Sequence, residues 1–87
     1  MNRGRLEVDA TIRIRYDVGE TARAVWRAIT PDNLQVPDGI ALKAEADDRE
    51  LRISVTCARG IGSLIATIDD LLSCIQAAER ALTEVAE

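Results

Sequence analysis

Histidine and phenylalanine are absent from this 87-residue chain, and tryptophan and tyrosine occur once each. Without histidine, the commonest general base and the commonest metal ligand are both missing. With so few aromatics, a strand platform that stacks RNA bases is excluded. The two cysteines, Cys57 and Cys74, form no Cys-x-x-Cys, so neither a zinc site nor a redox pair is signalled. Two reduced thiols in a cytoplasmic protein are the expectation. No unbroken apolar run approaches the roughly 20 residues that a membrane span needs. The charged start Met1-Asn2-Arg3-Gly4-Arg5 leads into no apolar targeting segment. Membrane contact is therefore not expected.

Positive charge is also in short supply. Eleven basic residues stand against 15 acidic ones, for a net charge of −4. That balance argues against a domain whose main task is nonspecific nucleic-acid binding. Arg3, Arg5, Arg13 and Arg15 nevertheless gather near the N-terminus, whereas acids dominate from Asp69 onward.

What is present is a globular composition, 47% apolar and 30% charged. A chain this short reads as a single domain, residues 1–87, and buries only a little over roughly 60% of its unfolded surface. Oligomerisation or a partner is the natural source of further stability.

The apolar pattern changes period along the chain. Leu6, Val8, Ala10, Ile12, Ile14 and Tyr16 alternate with polar residues, the mark of a strand with one buried face. Val18, Ala22, Val25, Trp26 and Ile29 follow at helical spacing, with Asp17 and Glu20 as a capping pair and Pro31 as the stop. A loop with two prolines ends on an Asp38-Gly39 turn. Two more alternating runs, Ile40 to Ala46 and Leu51 to Cys57, predict a hairpin with a short charged turn. The remainder, Ile61 to Ala86, predicts one long helix with Ser63 as its cap.

The order β-α-β-β-α, with a right-handed crossover, predicts an α+β fold. Three antiparallel strands in the order 1-3-2 carry two helices on one face, a split βαβ lacking its last strand. The first strand is then a long open edge, and open edges invite pairing. The last helix would be about 39 Å long. Its stripe of Leu64, Ile68, Leu71, Ile75, Ala78, Leu82 and Val85 is widened by Ile61, Ile65 and Leu72 on one flank. Cys74 and Ala81 widen it on the other, giving an arc of roughly 200°, about twice what one-sided packing needs. A second packing surface on this helix is therefore expected. Arg23 and Arg27 flank a low-profile face of the first helix beside Ala24 and Ala28, and Trp26 fits either a core anchor or an interface anchor.

No catalytic constellation survives inspection. Asp69 and Asp70 are adjacent and diverge on a helix, Ser63 lacks a base, and Gly60-Ile61-Gly62 is explained by a strand-to-helix turn. No cofactor or metal is implied. Arg13 and Arg15 are candidate phosphate contacts, although a solvated sheet face with cross-strand ion pairs is the favoured account of them.

Two short motifs carry a family resemblance. Ile29-Thr30-Pro31-Asp32-Asn33 resembles an apolar-x-Pro-Asp-Asn helix end. The stretch Gly62-Ser63-Leu64-Ile65-Ala66-Thr67-Ile68-Asp69 resembles a Leu-Arg-Ala-Thr-apolar-Asn helix start. In this order and spacing they resemble the small dimerisation subunit of the KEOPS complex, the Pcc-one or CTAG-type family. Ile65 stands where that family commonly has Arg, and Asp69 where it has Asn. The resemblance implies a noncatalytic homodimer that bridges threonylcarbamoyltransferase subunits and supports threonylcarbamoyladenosine formation in tRNA. It implies transferase contacts at Arg23, Ala24, Arg27, Leu71, Cys74, Ala78 and Leu82, taken as exposed helix positions, and candidate tRNA contacts at Arg13 and Arg15. Dimerisation is expected at the first strand edge or elsewhere on the sheet side. A paralogue that caps the complex, or a small Arg-dependent RNA-binding module, are the alternatives.

Overall fold

A computed structural model describes residues 7–33 and 38–86. Leu6, Arg3, Arg5 and the second proline, Pro37, lie outside them. The elements are β1 (Val8–Arg15), α1 (Gly19–Asn33), β2 (Ile40–Asp47), β3 (Glu50–Cys57) and α2 (Ile61–Ala86). Both pairings are antiparallel and the strand order is β1-β3-β2, as the sequence predicts. Central β3 sits in register with both neighbours, Ile53 facing Ile12 on one side and Ala44 on the other. Alternation places Leu51, Ile53, Val55 and Cys57 on one face, each with no exposure at all. Ala22, Val25 and Ile29 of α1 and Leu64, Leu71 and Ile75 of α2 close over that face. Apolar burial over this single layer drives the fold.

The two edges of the sheet differ. The indole Nε1 of Trp26, from α1, donates to the Ala44 carbonyl at 2.9 Å. Residues of β2 alternate in hydrogen bonding, and Gly39 accepts from Ala58 in the same register, so the odd-numbered residues face β3. Ala44 therefore points outward, and Trp26 occupies part of the β2 edge. Trp26 is thus an anchor on the core side of the molecule. β1 has no such cover among the described residues.

Several helix-boundary expectations need correction. Pro31 does not stop α1, which runs on to Asn33. It withholds one donor, that to the Arg27 carbonyl, on a side of the helix where Arg27 is exposed and water can replace it. The start of α1 is closed by the backbone, with Thr21 N–H on the Val18 carbonyl at 3.1 Å, and Asp17 makes no hydrogen bond among the described residues. Val18 is 53% exposed and outside the core, because it precedes the helix. Ser63 is not the cap of α2. Gly60 ends the preceding turn at φ 100° and its carbonyl takes Leu64 N–H at 3.2 Å, so the helix begins two residues before Ser63.

The expectation about membrane-length segments also changes. Ile61–Thr83 is long and apolar enough to cross a bilayer by length and composition, with a mean hydropathy of 1.3. The unbroken-run criterion missed it because Asp69 and Asp70 interrupt the run. Those carboxylates would lie near the bilayer centre, where each costs about 3 kcal/mol. The Leu64, Leu71 and Ile75 face is already occupied by the sheet.

A hydrogen bond clamps the far end of α2. The Tyr16 hydroxyl, just after β1, donates to Glu79 Oε2. Burial, the hydrogen bond and the carboxylate charge together hold the phenol well above its ordinary value. Since Tyr16 marks one end of the sheet, the turns of α2 beyond Glu79 overhang it.

Two outcomes are expected. A Cβ at Gly19 would stand 2.8 Å from the Asp48 carbonyl oxygen, backbone that cannot yield without moving the hairpin turn. Gly19→Ala should therefore destabilise by about 1–3 kcal/mol in denaturant titration. Because folding raises the Tyr16 pKa, its contribution is complete below the unfolded value of about 10 and fades as pH rises above it. Tyr16→Phe should lower the thermal midpoint at pH 8 and remove much of its decline above pH 10, followed by circular dichroism.

Candidate interaction surfaces

The outer face of the sheet carries the polar half of each strand. Arg52, at its centre, gathers the nearby acids: Nε is 3.5 Å from Glu50, Nη2 3.8 Å from Asp47 and Nη1 4.0 Å from Glu45. Lys43 adds a 3.7 Å ion pair to Glu45. These pairs are solvent-facing and individually weak. Their consequence is one of allocation. Arg13 lies directly opposite Arg52 in the β1–β3 register, a like-charge pair, and neither Arg13 nor Arg15 has an ion pair among the described residues. Glu7 and Asp9 also have none. Arg13 and Arg15 are both exposed, and Arg15 lies in a shallow cleft with a second base, Arg49, and three acids, Asp47, Asp48 and Glu50, so the acids outnumber the bases there.

The helices present two further surfaces. In projection at about 100° per residue, Ile61, Ile65 and Leu72 lie within about 40° of Glu79, and so on the β1 side of α2. Ile61 is 58%, Ile65 59% and Leu72 40% exposed. The opposite flank, with Cys74 and Ala78, turns toward α1 and is half-buried. Arg23 and Arg27 are exposed on α1, and Ala24 is half-buried. In projection Ala24 lies on the α2 side of α1, Arg23 lies about 60° from Trp26 on the β2 side, and Arg27 points away from the sheet.

Of the positions expected to meet a partner, Cys74 and Ala78 share one flank of α2 and Ala24 lies on the side of α1 turned toward it, whereas Arg23 lies on the other side of α1 and Leu71 is not on the surface. Leu71 is 4% exposed and belongs to the core, which corrects its expected place on an exposed face. It lies about 20° from Leu64 in projection, aimed at the sheet. Leu82 packs half-buried against the same core. The surplus apolar arc is real, but its exposed part is the Ile61, Ile65 and Leu72 flank.

No group of three or more His, Cys, Asp or Glu that could hold a metal occurs among the described residues. Asp69 and Asp70 are exposed on α2, and the Thr67 hydroxyl caps the Ser63 carbonyl at 2.9 Å. This arrangement offers surfaces for association.

A family profile described as "Transcription factor Pcc1" matches residues 9–83. Among solved structures, a chain from the crystal structure of the binary Gon7–Pcc1 complex superposes with a TM-score of 0.79 at 10% identity, covering 90% of this chain and 95% of that one. At that identity the likeness shows the fold. No curated protein sequence matches. The profile spans every element from β1 into the last turns of α2, and on it the chain belongs to the Pcc1 family, the KEOPS subunit family that its motifs resemble.

Proposed function

We propose that this protein is a noncatalytic, cytoplasmic assembly subunit of a KEOPS-type complex, acting as a homodimer that bridges threonylcarbamoyltransferase subunits and so supports tRNA threonylcarbamoyladenosine modification. The observation that carries the reading is a family-wide fold whose described surface offers docking faces in place of a reaction centre. The superposed solved structure is itself from a binary complex, of Gon7 with Pcc1. That pairing supports an associative role for this fold.

The groove between α1 and α2 is the surface we assign to the transferase. Small side chains at Ala24, Cys74 and Ala78 let a partner helix approach closely, and Arg27, exposed on the outer surface of α1 with Arg23 farther toward the β2 side, offers a charge-assisted contact. Leu82 continues the line toward the overhanging end. Leu71 supports the groove from beneath and takes no direct part. tRNA contact through Arg13 and Arg15 is a lesser element, given the carboxylates beside Arg15.

Arg27→Glu and Ala81→Asp, both at exposed positions of the helical surface, test the assignment. Each should fold normally and lose at least about tenfold in affinity for the transferase subunit of the same organism, measured by titration calorimetry. Unchanged binding by both variants would remove the groove from the contact. Leu71→Asp is unsuitable here, because a carboxylate in the core unfolds the domain. A gel-shift assay with tRNA separates the RNA-binding alternative, which requires tight, steeply salt-dependent binding by the isolated protein.

A further inference from the structure

Both outer strands of the sheet are eight residues long and pair with β3 along their whole length. Only β2 carries a cover on its outer edge among the described residues. We infer that the Trp26 indole closes the β2 edge to strand addition by a second copy of this chain. A sheet that adds strands at both edges assembles without end, whereas closing one edge keeps any assembly through strands finite. The inference goes beyond the assembly role proposed above and does not depend on which partners that role involves.

The first observation is where the indole sits. Ala58 N–H donates to the Gly39 carbonyl at 2.8 Å, so odd-numbered β2 residues bond to β3. Ile40, Leu42, Ala44 and Ala46 therefore direct N–H and C=O to the outer edge. A strand arriving there would bring a backbone N–H to about 2.9 Å from the Ala44 oxygen. The indole Nε1 already stands at 2.9 Å from that oxygen. The incoming backbone nitrogen and the indole nitrogen compete for one place.

The second observation is that side-chain charge does not close this edge. The outer face of β2 carries Lys43, Glu45 and Asp47, of mixed sign. Antiparallel pairing of two β2 strands about Ala44 sets Lys43 of each copy opposite Glu45 of the other, and Asp47 opposite Ala41. Two attractive cross-strand pairs favour that register. It also places the Ala44 N–H and C=O of both copies in a hydrogen-bonded pair on the dyad. The acceptor this pair needs is the one that Trp26 occupies. Moving the dyad to Leu42 sets Lys43 against Ala41 and Glu45 against Gly39, and both ion pairs are lost.

The third is how the cover is held. Trp26 is half-buried against the core, on α1, the helix that packs mainly on β2. One turn on, the Thr30 hydroxyl donates to the Trp26 carbonyl at 2.7 Å and braces the turn from which the indole projects. Burial of the ring thus fixes its nitrogen at the strand edge. The single tryptophan of the chain stands at the centre of the register that charge would otherwise favour.

The test opens the edge in the full chain. Trp26→Leu removes both ring and donor, and Trp26→Phe removes the donor while keeping most of the packing. Each is also combined with Lys43→Glu, which turns both cross-seam pairs repulsive. Weight-average mass is followed by sedimentation equilibrium as concentration rises, with circular dichroism to check folding. The native chain should level off at a finite mass. Trp26→Leu should rise past that plateau and at least double it, and Trp26→Phe should rise less. Adding Lys43→Glu should return either to the native plateau. If Trp26→Leu unfolds, Trp26→Phe decides by the same two readings. Folded variants that keep the native plateau, growth that Lys43→Glu leaves unchanged, or a native chain with no plateau would each overturn the inference. The native plateau itself, one chain or two, bears on the homodimer reading alone.

Discussion

Everything in this small domain hangs on β3. It is the one strand paired on both sides, and its four inward side chains are completely enclosed by two helices. With no Phe and a single half-buried Trp, the core is built almost entirely of branched aliphatic residues. Such a core is thin, one layer of side chains between sheet and helices. Its consequence is that each flanking element is packed on one side only. Among the described residues β1 retains an open edge and α2 an exposed flank at Ile61, Ile65 and Leu72. The surfaces available for association are those the core is too small to use.

The division of labour between those surfaces follows from geometry. Trp26 occupies part of the β2 edge, which leaves β1 as the edge without such cover among the described residues. The Tyr16–Glu79 hydrogen bond fixes the lateral position of α2 and thereby places Ile61, Ile65 and Leu72 above the β1 side.

Much of the fold was legible because its signals are local. Alternation at Leu6 to Tyr16, Ile40 to Ala46 and Leu51 to Cys57 specified strands, and the turn residues Asp38-Gly39 and Gly60 specified their ends. The extent of α2 was also read correctly. Helix boundaries were less legible: Pro31 and Ser63 are propensity signals, and tertiary packing with a glycine turn overrode both. The burial of Leu71 was missed because a 200° arc does not say which part faces the sheet. That requires the Tyr16–Glu79 contact, a partnership 63 residues apart in sequence.

The central claim is that this chain joins two larger subunits, and stoichiometry addresses it most directly. Molar mass should be measured by light scattering after gel filtration, for the chain alone and with the transferase subunit of its organism. The account predicts a dimer alone and, with excess transferase, a species of two small chains and two transferases. A complex limited to one chain of each, or no complex, would contradict it.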